Sequence, residues 1–262
     1  MAPSNTLLWL TIVTALSVAQ PSSIFRLPAT ILPTHYDLLL HPNIDEGTIR
    51  GEATIDLNIT TAYFDSVSLS DNFTVSFNFK PDTSTYSMSI DENFPVLFRD
   101  DGAADPILIA LSTLSLNGTT QIAVASFDVT NSEVQSLLSA NVWSLSFAYS
   151  ASIRGGADLA GWYKSTYSVD GVLIENVVTQ FQATDARSVF PSFDEPAFKA
   201  TFNVTFIAPA EAVKLSNMPI DGYVEPFFVY RKMCAVPRCL WMRVFYVRGR
   251  LRRAQCLRCA IA

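Results

Sequence analysis

Between Pro21 and Glu225 this 262-residue chain has no cysteine. Disulfides and thiolate-held metals are therefore excluded there, and the stretch depends on a packed core and ladder hydrogen bonds. Histidine is nearly absent as well: His35 and His41 are the only two. They stand six apart around an expected early strand, with Pro33 before the pair and Pro42 after it. A hydrolytic metal site on a helix needs two histidines at i and i+4 with a glutamate beside the first, and this spacing cannot supply it. A nucleophilic triad would need one of the same two histidines, and no G-x-S-x-G elbow occurs. Gly155-Gly156 lacks the rest of a phosphate loop. The most local absence is of acid, since residues 226–262 contain no aspartate or glutamate.

What is present reads as a globular chain. Hydrophobic residues make up 49% and charged ones 16%, enough to bury a large core. Residues 1–19 have the pattern of a signal peptide: Leu7 to Val18 is uncharged and mostly apolar, and Ser17-Val18-Ala19 offers small residues for cleavage after Ala19. Its apolar run is short for a membrane span. The expectation is a secretory chain, secreted or facing outward at the plasma membrane.

Residues 20–225 alternate with period two. Ala53, Ile55, Leu57 and Ile59 interleave with polar residues, as do Phe73, Val75, Phe77 and Phe79, and Trp143, Leu145, Phe147 and Tyr149. Each run is a half-buried strand. Asn117-Gly118 between Leu114–Leu116 and Ile122–Val124 suits a hairpin turn. Only Ser132 to Ala140 and a short corner near Asp185 look helical. Many short strands between turn signals predict an all-β fold, a two-sheet antiparallel sandwich or saddle. Four N-x-S/T sequons, at Asn58, Asn72, Asn117 and Asn203, suit a glycosylated surface.

The stretch from Asn176 to Thr205 reads as a site. Gln180 and Gln182 stand two apart, so on an extended segment they share a face. The corner TDAR follows, with Thr184 placed to cap it and Asp185 in its first turn. Pro191 and Pro196 bracket Phe193-Asp194-Glu195. Asp194 and Glu195 could be offered as an acid–base pair, but neighbours on an extended chain point opposite ways, so a structural corner is preferred. From Phe198 to Phe206 the alternation resumes.

TQFQATDARSVFPSFDEPAFKATF resembles the signature block of the zinc aminopeptidases of the aminopeptidase N type, with Ser192 where that family usually has cysteine. GWYKSTY (Gly161 to Tyr167), LSNMP (Leu215 to Pro219) and RLPATILPTHYDLLLHP (Arg26 to Pro42) resemble three further blocks in the right order. The resemblance covers residues 24 to about 220 and implies the family's N-terminal β domain, truncated before the catalytic half. It also implies that Gln182 contacts the free α-amine of a peptide substrate and that Gln180 lines the pocket for the first side chain. The complete enzyme would remove N-terminal residues from peptides using zinc. GAMEN and HExxH blocks are absent, so no cofactor and no catalytic residue is expected in this chain, which should be inactive alone. The alternative is a non-catalytic secreted glycoprotein that binds peptides or partner proteins through its β surface. Nucleic acid is not an expected partner; membrane attachment of a longer form is compatible with the pattern.

Residues 1–225 carry all 24 acids and nine bases, whereas 226–262 carry the other nine bases and all four cysteines. A basic zinc-binding module, a basic membrane or nucleic-acid tail and sequence foreign to the domain compete as readings. The cysteine pairs Cys234/Cys239 and Cys256/Cys259 are unequally spaced, no clean helical face is visible, and the stretch does not resemble the family's continuation. The third reading is preferred, with 226–262 a disordered appendage and no domain.

Overall fold

The computed structural model describes residues 24–66, 72–81, 87–91, 93, 95–99, 107–109, 111–130, 142–155, 158–208, 212–216, 220–224, 227–232 and 242–246, the last three segments as backbone only. The predicted helix at Ser132 to Ala140, the signal peptide and the tail cysteines lie outside them.

The fold is all-β. The alternating runs become β1 (Ile31–Asn43), β2 (Thr48–Ile59), β3 (Phe73–Asn78), β7 (Leu111–Asn117), β8 (Ile122–Phe127), β9 (Val142–Ser152) and β12 (Thr201–Ile207). Between them stand the short β4 (Met88–Ile90), β5 (Val96–Arg99) and β6 (Ile107–Ile109). A hairpin of β10 (Gly161–Val169) and β11 (Val172–Gln180) precedes β12, and β13 (Val213–Ser216), β14 (Ile220–Val224), β15 (Phe227–Lys232) and β16 (Met242–Tyr246) follow it. The large sheet runs β14-β15-β12-β1-β2-β9-β5-β6, with β4 also on β9. A three-stranded sheet, β3-β8-β7, and a four-stranded sheet, β10-β11-β16-β13, complete the described architecture. Against the antiparallel expectation, β1 and β12 pair in parallel, from His35↔Thr201 to Leu40↔Phe206. The chain thus returns across the whole domain to lie beside its first strand.

Inward-facing residues of β1, β2, β9 and β12 meet those of β3 and β8. Tyr36 stacks on Phe202 at 4.5 Å, and Phe77 meets Phe147 edge-on at 4.8 Å. Each such fully buried aromatic contributes about 1.5–3 kcal/mol of burial, so a core of this kind replaces the missing disulfides.

Some details differ from, or refine, what the sequence suggested. Helix α1 (Thr61–Ser66) was not foreseen; Tyr63 packs on Phe73 at 5.0 Å, so tertiary contact holds six residues that local pattern would not. The hairpin expected at Asn117-Gly118 forms, with a four-residue loop, Gly118 to Gln121, closed by Asn117↔Ile122, in which Gln121 supplies a left-handed residue (φ 55°). The histidines sit inside β1, not at its ends. Within 226–262 the described residues form β15 and β16. β15 pairs with β12 and β14, and β16 lies between β11 and β13. FFVYR and MRVFY are rich in β-branched and aromatic residues, and the open edges of β12 and β11 satisfy their backbone groups.

Candidate functional site

The site begins with the β10–β11 hairpin. Asp170-Gly171 forms a two-residue turn with both φ positive (51° and 76°), which suits the twist of paired strands. Register then runs from Val169↔Val172 to Gly161↔Gln180. Val177, Thr179 and Phe181 point to the core and are buried, with Phe181 edge-on to Phe190. Gln180 and Gln182 are exposed on the opposite side. Gln180 thus closes β11 and Gln182 stands in the turn that follows, both exposed.

Beyond Gln182, whose peptide bond to Ala183 is cis, the chain turns into a single 3-10 turn, Ala186–Ser188. The expected Thr184 cap is not made. Asp185 occupies the N-cap position without a side-chain cap bond, because its carboxylate is engaged elsewhere. Lys80 approaches Asp185 Oδ1 at 3.4 Å and Arg154 at 3.5 Å, while Arg154 also donates to Asp158 at 3.1 Å. Ser188 Oγ donates to the Asp185 carbonyl at 2.7 Å, tightening the turn.

Gly161 joins hairpin and corner. Its φ is +67°, and a Cβ there would collide with Ser188 Oγ. Only glycine lets the backbone of β10 pass this close, so Gln180, its cross-strand partner, is held against the turn that carries Gln182.

The corner's far side is locked from within. Arg187 donates through Nε to Asp194 Oδ2 at 3.1 Å and through a terminal nitrogen to the Asp194 carbonyl at 3.0 Å. Asn78 and Ser192 exchange two backbone bonds, and the Asn78 side chain accepts from the Asp194 N–H at 2.9 Å. The Phe193 N–H donates to Tyr36 Oη at 3.0 Å. Burial pushes the Tyr36 hydroxyl well above its ordinary value; the Phe193 N–H opposes this and the charge of Asp194 adds to it. Glu195 turns the other way and accepts from the Leu27 N–H at 2.5 Å and from Arg26 at 3.1 Å. Asp194 and Glu195 thus hold different elements as ion pairs. They are the structural corner that the sequence suggested.

Sequence reasoning missed several contributors. The Asp170-Gly171 dipeptide was a hairpin signal in plain view. Lys80, Arg154, Asn78 and Tyr36 are contributed by distant strands and loops and have no local signature.

The arrangement offers acceptors for a donor group. Amide oxygens accept from an ammonium group. Among the described residues, no three His, Cys, Asp or Glu side chains gather as a metal site. His35 instead bonds Thr201 and lies 3.5 Å from Asp37. Among the described residues no set of side chains fits a zinc ion, and no chemical step is assigned to one.

The sequons differ in setting. Asn58, Asn72 and Asn117 are exposed. Asn203 is half-buried in β12, and its amide donates to Asp37 at 2.8 Å. Among the described residues, no helix is long and apolar enough to cross a membrane.

The β10–β11 hairpin thus ends in two exposed amides and is backed by a buried Arg–Asp corner on an all-β domain. Residues 32–225 match the family model of the peptidase M1 N-terminal domain, and the chain belongs to that family. It is 32% identical over 199 residues to Aminopeptidase M1 of Arabidopsis thaliana, covering 74% of this chain and 19% of that protein. A stretch of 70 residues is 56% identical to Aminopeptidase N of Canis lupus familiaris, covering 27% of this chain and 7% of that protein. Over 216 residues it is 27% identical to Endoplasmic reticulum aminopeptidase 1 of Rattus norvegicus, covering 79% of this chain and 20% of that protein. The matches with the Arabidopsis and rat proteins thus span about a fifth of each relative's length.

Proposed function

We propose that this chain is the amine-recognising β domain of a secreted or membrane-associated zinc aminopeptidase. Gln182 accepts from the substrate's α-ammonium, and Gln180 borders the space for its first side chain. The observation that carries this reading is the placement of the two amides. Both are exposed while Phe181 between them is buried, which supports a pair available to a ligand. Zinc, general base and hydrolysis belong to a catalytic domain, and the chain by itself does not hydrolyse peptides. The relatives' names support the aminopeptidase relationship; the secretory setting rests on the leader and the sequons.

A hydrogen bond to a charged group is worth about 1.5–3 kcal/mol, enough to distinguish a free amine from an acylated one. The test uses the side-chain amide NMR signals of Gln180 and Gln182 in the purified chain. A free-amine dipeptide should shift the Gln182 signal, its N-acetyl form should not, and Gln182→Ala should abolish the response at Gln180. Equal responses to both peptides would instead favour a general peptide- or protein-binding surface. Chelator-sensitive turnover of an aminoacyl chromogenic substrate by the chain would overturn its assignment as non-catalytic.

A further inference from the structure

The loop between β7 and β8 holds a reactive arrangement outside the amide site. Asn117 is exposed, and its side-chain carbonyl oxygen accepts from two backbone N–H groups, Thr119 at 3.0 Å and Thr120 at 3.1 Å. An amide oxygen that reaches the N–H groups two and three residues on must fold back over the intervening nitrogen, that of Gly118. Gly118 N is also the one backbone nitrogen able to close a five-membered ring on Asn117 Cγ. The loop is braced in this shape: Gln121 N–H donates to the Asn117 carbonyl at 2.8 Å, and Phe79 N–H donates to the Gln121 carbonyl at 3.0 Å.

We propose that Asn117 is a site of spontaneous deamidation through a succinimide, favoured by this loop. Gly118 N attacks Asn117 Cγ and a new N–C bond forms as solvent base removes the N–H proton. The developing oxyanion is the same oxygen that Thr119 and Thr120 already hydrogen-bond, so the donors stand where negative charge builds up. The Cγ–Nδ2 bond then breaks and Nδ2 leaves as ammonia. Water opens the ring at either carbonyl, giving aspartate or isoaspartate, and no oxidant or reductant takes part.

The other three sequon asparagines lack the arrangement. Asn58, Asn72 and Asn203 are each followed by a buried apolar residue, Ile59, Phe73 and Val204, whose side chain crowds the attacking nitrogen. Gly118 has no such obstacle. If the secretory reading of the proposed function holds, the same Nδ2 is also the glycan acceptor. A sugar on it removes ammonia as leaving group, so glycosylation at Asn117 protects the loop.

The test is peptide mapping of the full chain with isoaspartate detection. In chain made without glycosylation and held at mildly alkaline pH, Asn117 should convert about tenfold or more faster than Asn58, Asn72 or Asn203, a barrier difference of roughly 1.4 kcal/mol. Gly118→Ala should slow it by a similar factor without harming the fold: a Cβ there meets only Pro81, at an ordinary 3.6 Å, and φ is not positive. An intact Asn117 amide, or a Gly118→Ala chain that converts as fast as the parent, overturns the proposal. From a secretory host, Thr119→Ala removes the sequon but keeps the donor N–H, and Asn117 should then convert. A parent chain secreted without sugar at Asn117 and converted there would support deamidation while defeating the glycan reading.

Discussion

Arg187 and Asp194, seven residues apart and both buried, clasp each other across the corner that follows the two glutamines. One guanidinium satisfies both the side chain and the backbone carbonyl of Asp194. The chain between them, including Pro191, is thereby held as a closed bend that the core alone would not impose.

Breaking that clasp should be costly. Arg187→Ala leaves a carboxylate buried at 0% exposure without its cation, and such losses run to about 3–5 kcal/mol. Urea unfolding should show the midpoint falling accordingly, and Asp194→Asn should be comparably damaging because it leaves the buried Arg187 guanidinium without its counter-charge. A loss below about 1 kcal/mol for Arg187→Ala would mean the pair is not structural.

Ser192 offers the opposite case. Its hydroxyl oxygen is fully buried and has no hydrogen-bond partner among the described residues, although its backbone is well paired with Asn78. Ser192→Ala should therefore be neutral or stabilising by about 1 kcal/mol, since an unsatisfied buried hydroxyl is removed. Thermal unfolding of the variant reads this directly, and a lowered midpoint would reveal a partner for the hydroxyl.

Gly161→Ala should destabilise by about 1–3 kcal/mol or more, combining a left-handed backbone with a collision at Ser188. Adding Ser188→Gly should recover the collision but not the backbone strain. A double-mutant cycle separates the two, and full additivity would show that the residues do not touch in solution.

Tyr36 sets a pH limit. Its hydroxyl titrates above the ordinary tyrosine value of about 10 in the folded chain, chiefly through burial. Between the unfolded and folded values the unfolded chain has lost the proton while the folded chain keeps it. Stability is thus complete below pH ~10 and falls above it by up to about 1.4 kcal/mol per pH unit. Tyr36→Phe should remove this component of the alkaline slope, at the expense of the bond accepted from Phe193 N–H. An identical slope in the variant would assign alkaline loss to other groups.

The tail can be tested by truncation. A chain ending at Glu225 lacks β15 and β16, and β16 is what joins β11 to β13. Limited proteolysis should then cut within the 161–180 hairpin faster than in the full chain. Unchanged protection would show that the hairpin stands on its own contacts.

Alternation along β2, β3, β9 and β12 was enough to reveal an all-β domain, because which face a strand buries is a property of neighbouring side chains. The exposure of Gln180 and Gln182 on either side of the buried Phe181 follows the same alternation. The tertiary structure alone decided the parallel return of β12 onto β1, the insertion of β16 beside β11, and the partners of Asp185, Asp194 and Glu195. Those depend on backbone edges and charges brought together from residues up to 169 positions apart. Local chemistry states what a residue needs; only the closed chain determines which distant group supplies it.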